Sequence, residues 1–378
     1  MKILSSEEIH KADAYTIKHE PVKSINLMER AAKACVQWFA QAPVLKGEAT
    51  ELKIFCGLGN NGGDGLAIAR LLAQKKIKIE VFIIRYSDKC SKDFLINEKR
   101  LKKIKAVKVH NITSISQLET FNLKPETVYI DSLFGTGLNK PVEGLAADVI
   151  NHINKSKCFV VAIDIPSGLF SEMNSRSEKS AIICANYILT FQSPKLAFMF
   201  PENGNYIRDF SMLDIGLNEN FIASLPSKFS FVTEQDARLI LKQRNKFSHK
   251  GTFGHALIIS GSHGKIGACV LASRACLSSG AGLVTVHIPK CGYEILQTTN
   301  PEVMVETDSS DTIISDSIRL EKYNVVGIGP GIGTEKETQN VLKELIQNSS
   351  ALIVLDADAL NILAENKTWI SFLPKNST

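Results

Sequence analysis

Residues 56–66 contain five glycines, two adjacent asparagines and one aspartate, and they separate an apolar run from a segment of helix-forming composition. The apolar run, residues 52–56, has the length of a buried strand, and residues 66–73 are typical of a helix. A strand, a tight glycine turn and a helix N-terminus bring backbone N–H groups together, and a phosphate can bind there. The run therefore predicts a nucleotide-binding loop. An ordinary glycine-rich β–α turn is the alternative, because G-x-G-x-x-G spacing arises easily by chance.

Strand-like runs alternate with helical segments along most of the chain. The runs occupy residues 52–56, 77–84, 107–110, 127–131 and 158–163, and the alternation restarts at 256–260, 283–286, 325–333 and 351–358. Such alternation predicts βαβ units and a mostly parallel, doubly wound sheet. A chain of 378 residues is too long for one compact core. We therefore predict an α/β/α domain over residues 1–217, a connector over 218–250 and a second α/β domain over 251–378.

The composition favours a soluble enzyme. Lysine and arginine number 44 against 39 acidic residues, so the net charge of +5 gives no strong case for nucleic-acid binding. The eight cysteines form no C-x-x-C pair and no zinc-site spacing, which predicts reduced thiols. The first residues lack the apolar core of a signal peptide, and no apolar stretch approaches a membrane span in length. We expect a cytoplasmic enzyme that acts on a small molecule and binds neither nucleic acid nor membrane.

Three aspartates end or follow predicted strands: Asp64 in the glycine-rich run, Asp131 and Asp164. Ligands gather at the carboxyl ends of strands in such sheets, so these carboxylates are candidates for holding a cation, orienting a sugar hydroxyl or moving a proton. Each aspartate alone is equally well explained as the cap of the next helix. Oxygens of Asn61, Asp131 and Ser167, with nearby carbonyls, are suited to a hard cation.

Four short motifs occur in the first half of the chain. They are Leu27-Met28-Glu29-Arg30-Ala31-Ala32, Asn60-Asn61-Gly62-Gly63-Asp64-Gly65, Asp131-x-x-Phe134-Gly135-Thr136-Gly137 and Asp164-Ile165-Pro166-Ser167-Gly168. Each motif alone is weak, but the combination is specific. Together they resemble the NAD(P)H-hydrate epimerase domain, a Rossmann-like fold, over approximately residues 1–215.

The resemblance implies a ligand, a reaction and a set of contacts. The ligand is NADH or NADPH hydrated at C6 of the nicotinamide ring, and the epimerase interconverts its R and S forms. C6 is a hemiaminal carbon, so the ring nitrogen can expel the hydroxyl and water can return on the other face with acid–base help. We expect Asp164 to be the acid–base group and Asn61, Asp131 and Ser167 to bind potassium. The expected substrate contacts are Asn60, Asn61, Gly62, Gly63, Asp64, Gly135, Thr136, Gly137, Leu138, Asn139, Lys140, Pro141 and Asp164.

Glycine-rich motifs recur in the second half of the chain. They are Lys250-Gly251-Thr252-Phe253-Gly254-His255, Ser260-Gly261-Ser262, Ser279-Gly280-Ala281-Gly282, Gly329-Pro330-Gly331-Ile332-Gly333 and Asp356-Ala357-Asp358. They resemble the NAD(P)H-hydrate dehydratase domain, which has a ribokinase-like fold. This family uses ADP, or ATP in eukaryotes, with Mg²⁺ to phosphorylate the hydroxyl of the S-hydrate. The resemblance implies that Ala268 and Gly331 contact the hydrate. For Gly261 and Gly264 we favour the alternative, that they serve tight β–α turns.

The dehydratase resemblance ends before the family's catalytic aspartate. The family's histidine loop, lysine loop and G-x-G-D anion hole follow the Asp-Ala-Asp segment, and none of them lies in these 378 residues. We therefore expect an incomplete ribokinase-like domain without dehydratase activity, an activity expected only of a longer form. An exposed sheet edge would favour a homo-oligomer. Two alternatives stay open, a ribokinase-type small-molecule kinase and a non-catalytic nucleotide-binding scaffold.

Overall fold

The computed structural model describes residues 1–42, 51–75, 77–121, 127–172, 181–241, 244–375 and 377–378. These residues form two compact units, Met1–Leu241 and Lys242–Thr378. The predicted connector includes residues 242–243, which lie outside the described residues, and its boundaries stay a prediction. None of the described helices combines the length and the apolar composition that a membrane span requires.

The first unit alternates helices and strands. Its elements are β1 (Lys2–Ile3), α1 (Ser6–His19), α2 (Ser24–Gln41), β2 (Glu51–Cys56), α3 (Asn60–Ala73), β3 (Lys78–Ile84), α4 (Lys92–Leu101), β4 (Val107–Ile112), α5 (Ile115–Glu119), β5 (Val128–Ser132), α6 (Gly144–Lys155), β6 (Phe159–Ile163), β7 (Tyr187–Phe191), β8 (Phe210–Leu213), α7 (Glu219–Ser224), β9 (Phe229–Ser230) and α8 (Glu234–Ile240). A short 3-10 helix, Leu196–Met199, follows β7.

Among the described residues of this unit, seven parallel strands form one sheet in the order β4-β3-β2-β5-β6-β7-β8. The sheet is buried on both faces: Leu52 and Ile54 of β2 pack into one apolar cluster with α2 and α3, and Phe55 of the same strand packs into the other with α6. A parallel sheet covered on both sides is the doubly wound α/β architecture predicted from the sequence. The fold class is confirmed, although β7 and β8 were not anticipated.

Helix α3 begins at Asn60, so the glycine-rich run is mostly helix rather than loop, and the predicted helix start at residue 66 is wrong. Close packing explains the glycines. A Cβ on Gly62 would lie 1.9 Å from the carbonyl oxygen of Gly57, and one on Gly63 would lie 2.9 Å from the sulfur of Met28. Only glycine lets this first turn approach the end of β2 so closely. The sequence prediction was wrong because composition alone does not distinguish a glycine that serves close packing inside a helix from a glycine in a loop.

The second unit is a smaller α/β unit. Its elements are β10 (His255–Ile259), α9 (Ile266–Ser278), β11 (Leu283–Ile288), α10 (Tyr293–Thr299), β12 (Met304–Thr307), β13 (Val325–Ile328), α11 (Lys336–Asn348), β14 (Leu352–Leu355) and α12 (Asp358–Glu365). In the described part of this unit, five parallel strands form one sheet in the order β12-β11-β10-β13-β14.

Strand β14 forms one edge of this sheet. Leu352 and Val354, which share one face of the strand, are 49% and 44% exposed, and the exposed edge expected from the sequence stays a prediction. The edge is nevertheless paired at one point, because the backbone of Thr378 accepts from Leu355 at 2.7 Å and donates to Ile353 at 2.9 Å.

Candidate functional site

A cavity of about 380 Å³ opens in the first unit where β2, β5, β6 and β7 end. Its walls are formed by the start of α3, the loop after β5, residues at the ends of β6 and β7, and one face of α1. Its lining residues are Ile9, His10, Asp13, Gly59, Asn60, Asn61, Asp64, Tyr86, Leu133, Phe134, Gly135, Thr136, Gly137, Leu138, Asp164, Phe191, Gln192, Ile215 and Leu217. A slightly larger apolar depression of about 420 Å³, near Leu4 and Phe229, contains none of the predicted site residues.

The structure brings many of the predicted contact residues together in the 380 Å³ cavity. Those that line it are Asn60, Asn61, Asp64, Gly135, Thr136, Gly137, Leu138 and Asp164. The remaining predicted contacts of this unit, Gly62, Gly63, Asn139, Lys140 and Pro141, are not in its lining. Gly62 and Gly63 are buried at packing positions, whereas residues 139–141 are exposed. The predicted metal ligands Asp131 and Ser167 lie directly behind the lining and contact each other. Asp131 accepts from the N–H of Leu133, and Ser167 accepts from the N–H of Phe134.

Asp131 and Ser167 form a buried hydrogen-bonded pair at the ends of β5 and β6, and both are fully buried. The backbone N–H of Ser167 donates to Oδ2 of Asp131 at 2.8 Å, and its hydroxyl donates to Oδ1 at 2.6 Å. Ser167 Oγ also accepts from the N–H of Phe134 at 2.8 Å. Burial raises the pKa of Asp131 to about 6, against these hydrogen bonds, which favour the ionised form. The pair fixes the loop that carries Phe134 and Gly135.

Asn61 adds a free oxygen beside this pair. Its Nδ2 donates to the carbonyl of Phe134 at 2.7 Å, whereas its buried Oδ1 has no hydrogen-bond partner. An unpartnered buried oxygen costs free energy unless something accepts its lone pairs, and a cation does so. The oxygen-only set of Asn61, Asp131 and Ser167 therefore fits a hard monovalent or divalent cation. The described residues contain no cluster of three or more His, Cys, Asp or Glu suited to a metal.

Asp164 directly follows β6. Its backbone is strained, and its two carboxylate oxygens have different surroundings. Its φ of +67° lies in the left-handed region, which a non-glycine residue adopts at some cost and which is often found at functional sites. Oδ1 forms an ion pair with Lys195 at 2.9 Å and accepts from the N–H of Phe191 at 3.2 Å. No described residue donates a hydrogen bond to Oδ2, which lies 3.9 Å from the position of a Cβ on Gly135. One oxygen is therefore anchored, and the other is available to the cavity.

Sequence reasoning missed Lys195, which is 2% exposed. Its ammonium group also donates to the carbonyls of Phe191 and Ser193, both at 3.2 Å, so all of its protons have acceptors. The residue stands 31 positions after Asp164 in a segment without a recognisable motif. A buried lysine is rare unless paired, but burial at this position cannot be read from the residues around it.

Two further carboxyls line the same cavity. Burial raises the pKa of Asp13 on α1 to about 6; His10 opposes the shift, Asp164 adds to it and Lys195 opposes it. Burial also raises the pKa of Asp64 well above its usual range, and the nearby charges of Asp164 and Asp13 add to this. Asp13 was not anticipated because it lies in a helix that carries no motif. The cavity thus gathers three carboxyl groups and one buried ammonium group behind them.

The second unit also brings its two predicted contacts together. A Cβ on Gly331, whose φ is +71°, would lie 3.1 Å from the Cβ of Ala268, so the loop after β13 touches the start of α9. Ser262 holds this loop by donating its hydroxyl proton to the carbonyl of Gly331 at 2.8 Å. Asp358 accepts from the N–H of Gly333 at 2.9 Å and lies 3.8 Å from the ammonium group of Lys265.

Comparisons with known proteins agree with both units. Residues 24–197 match the family model described as the YjeF-related protein N-terminus, and residues 256–378 match the model described as NAD(P)H-hydrate dehydratase. The chain is 31% identical over 377 residues to the bifunctional NAD(P)H-hydrate repair enzyme Nnr of Moorella thermoacetica, covering 96% of this chain and 70% of that protein. It is 33% identical over 345 residues to the protein of the same name in Escherichia coli K12, covering 90% of this chain and 63% of that protein.

A solved structure resembles part of this chain in fold. The crystal structure of yeast ynu0, YNL200c, has a TM-score of 0.50 at 22% sequence identity and covers 62% of this chain and 98% of that chain. The family-model matches lie in both units and include every motif from which the resemblance was drawn except residues 250–255. The chain therefore belongs to the family of bifunctional NAD(P)H-hydrate repair enzymes.

Proposed function

We propose that the first unit epimerises the R and S forms of hydrated NADH or NADPH. The observation that carries this proposal is the convergence of the motif residues on one cavity: Asn60, Asn61 and Asp64 on α3, Gly135 after β5, and Asp164 after β6. A purely structural role for the motifs does not require their polar atoms to meet. Their meeting point at the carboxyl ends of parallel strands is the place where doubly wound sheets bind ligands.

The start of α3 is suited to the pyrophosphate of the substrate. Gly59 is the N-cap residue and offers no side-chain cap, so the N–H groups of the first turn have no partner from that residue. Gly59 and Asn60 both line the cavity. A helix N-terminus without a cap attracts an anion through these N–H groups and the helix dipole.

Asp164 is suited to proton transfer at the C6 hydroxyl of the nicotinamide ring. Lys195 and Phe191 hold Oδ1, which leaves Oδ2 to exchange a proton with the hydroxyl that leaves or with the water that returns. Loss of the hydroxyl is driven by the lone pair of the ring nitrogen, which forms an iminium with C6. Water then adds to the other face, and the configuration at C6 is inverted.

Asn61, Asp131 and Ser167 would hold the potassium ion that the family resemblance implies. The free Oδ1 of Asn61 supports this assignment, because it is buried, has no hydrogen-bond partner and belongs to a residue that lines the cavity. A bound cation would offset the negative charge of the carboxylates and of a nearby substrate phosphate.

In the second unit, we propose that Ala268 and Gly331 contact the S-hydrate, with ADP and Mg²⁺ as cofactors of the dehydratase reaction. The close approach of these two residues supports the assignment. Incubation of the S-hydrate with ADP and Mg²⁺ tests the dehydratase assignment, with formation of NADH as the measured product. Binding of the S-hydrate that is equally strong in a Gly331→Trp variant would contradict the assigned contact.

Purified R-hydrate is the substrate that tests the proposed epimerase. The full chain is incubated with it, and formation of the S-hydrate is followed by ring-proton NMR against spontaneous epimerisation in buffer alone. We expect rapid equilibration of the two forms. If the protein binds the hydrate but leaves the spontaneous rate unchanged, it is a scaffold rather than an epimerase. The predicted cytoplasmic location and the possible homo-oligomer rest on the sequence alone and are tested separately, by fractionation and by analytical ultracentrifugation.

A further inference from the structure

Helix α1 contributes a carboxyl group to the cavity from outside the matched epimerase segment. Asp13 lines the cavity, whereas the family match begins at residue 24. The side chain is half-buried, and no described residue offers it a hydrogen bond or an ion pair. A half-buried carboxyl that faces a cavity without such a partner is available to a ligand.

We propose that Asp13 is a second catalytic acid–base residue, which works with Asp164 on the C6 hydroxyl and on the water that replaces it; the proposal rests on the epimerase function proposed above. Inversion at C6 requires that the hydroxyl leaves from one face of the ring and that water adds to the other face. One carboxyl group cannot serve both faces equally well without moving the substrate. Asp13 and Asp164 reach the cavity from different walls, α1 and the end of β6.

The position of α1 is fixed by contacts that would keep Asp13 in place. Ser5 caps the helix by a capping box with Glu8. Ala12 and Thr16 are fully buried beside Asp13, and the Thr16 hydroxyl accepts from the N–H of Asn218 at 3.0 Å. Asp13 therefore stands next to the buried face of the helix, where an apolar residue would serve packing better than a carboxyl group.

The charges around the two carboxyl groups differ, although they share one cavity. Asp164 has the ammonium group of Lys195 at 2.9 Å, whereas the groups that act on Asp13 are His10 from its own helix, Asp164 and Lys195 from the strand ends and Asp64 from α3. Burial raises the pKa of Asp13 to about 6. Carboxyl groups in such unequal environments commonly divide acid and base roles between them.

The proposed step is balanced in atoms and protons. Protonated Asp13 gives its proton to the C6 hydroxyl, the C–O bond breaks, water leaves and the ring nitrogen forms the iminium. A second water attacks C6 from the other face and gives a proton to the Asp164 carboxylate. Exchange of one proton between the two aspartates through water restores the starting state. For the reverse epimerisation the two groups exchange roles.

Asp13→Asn tests this role, because the amide keeps the shape of the side chain but cannot transfer a proton as the carboxyl group does. Glu7→Gln on the same helix is the matched control, since Glu7 faces solvent and forms its ion pair with Lys11 on the same helix. Epimerisation of R-hydrate is measured from pH 5 to 8 for the unsubstituted chain and both variants, together with hydrate binding by equilibrium dialysis. We expect kcat of Asp13→Asn to fall by about 100-fold or more while binding is retained.

The pH profile separates a catalytic role from a structural one. In the unsubstituted chain and in Glu7→Gln, the rate should fall as the pH rises through about 6, where Asp13 loses its proton. Asp13→Asn should lack this dependence. Asp13→Glu retains a carboxyl group and is expected to regain part of the rate and the pH dependence. Asp13→Ala lacks the carboxyl group and replaces Asp13→Asn in this test if Asp13→Asn does not fold.

The outcomes distinguish the two proposals. If Asp13→Asn, or Asp13→Ala in its place, folds and matches Glu7→Gln in kcat and pH profile, Asp13 has no catalytic role, while the epimerase function stands. If the unsubstituted chain and Glu7→Gln both leave the spontaneous rate unchanged, the epimerase function is wrong and the role of Asp13 is lost with it.

Discussion

The two units place their predicted contact residues at the carboxyl ends of parallel strands, but they differ in what surrounds these residues. In the first unit, carboxyl groups from α1, α3 and the end of β6 share one cavity with an ion-paired lysine behind it. In the second, the predicted contacts are the backbone of Gly331 and the methyl group of Ala268, and the nearby Lys265 is largely exposed. The first arrangement can move protons, whereas the second can position a ligand. Variants that remove one group at a time test this contrast.

The largest effect is expected for Asp164→Asn. The amide keeps the size of the side chain but cannot exchange a proton, so epimerisation should fall by about 10²–10⁴-fold. Hydrate binding, measured by equilibrium dialysis, should persist. Ala268→Ser in the second unit is the contrasting variant and should leave epimerisation unchanged. An unchanged rate for Asp164→Asn with bound hydrate would assign the acid–base role elsewhere in the cavity.

Lys195→Met tests whether the buried ion pair is also structural. The substitution leaves the Asp164 carboxylate, 14% exposed, without its cation, and we expect the free energy of unfolding of the first unit to fall by about 3–5 kcal/mol. Lys102→Met is the control, because Lys102 is 60% exposed in its ion pair with Glu98, and its loss should cost about 1 kcal/mol or less.

Urea unfolding of this pair of variants is followed by the fluorescence of Trp38, which packs in the first unit against Tyr187 with ring centroids 4.7 Å apart. A Trp369→Phe background removes the second tryptophan of the chain. If Lys195→Met and Asp164→Asn/Lys195→Met are equally stable, the unpaired carboxylate costs little, and the ion pair is not a major part of the fold's stability.

The same contrast shows how far the sequence predicts this protein. The βαβ alternation predicts the doubly wound class, because apolar runs and helical segments differ in length and composition. Strand-end aspartates such as Asp164 are recognisable, since the chain passes directly from an apolar run into a carboxylate. Asp13 and Lys195 are not, because they are separated by 182 positions and meet only after the sheet has formed. Charged residues that are so far apart along the chain leave no local pattern in the sequence.

Gly62→Ala tests the close packing at the start of α3. Its Cβ would lie 1.9 Å from the carbonyl oxygen of Gly57, so the helix must shift away from β2. We expect a loss of about 1–3 kcal/mol in the free energy of unfolding, although alanine is the better helix former. Gly137→Ala is the control, because no described atom beyond its two chain neighbours lies within 4 Å of the added methyl group. Equal stability of the two variants would show that α3 accommodates the methyl group without strain.

The smallest effect is expected for potassium. Epimerisation is compared in potassium chloride and in choline chloride at equal ionic strength, and the rate should be several-fold lower in choline chloride. The effect is small because a monovalent cation adds only one charge, and hydrogen bonds from Ser167 already stabilise the Asp131 carboxylate. Asn61→Leu removes the free oxygen and should give a lower rate that no longer depends on the salt. Equal rates of the unsubstituted chain in both salts would mean that the buried Oδ1 of Asn61 serves the substrate itself. The Asn61 amide would then be a substrate contact, as is proposed for Asn60 and Asp64. The difference between the two units would in that case consist of the carboxyl groups in the first cavity and would not include a cation site.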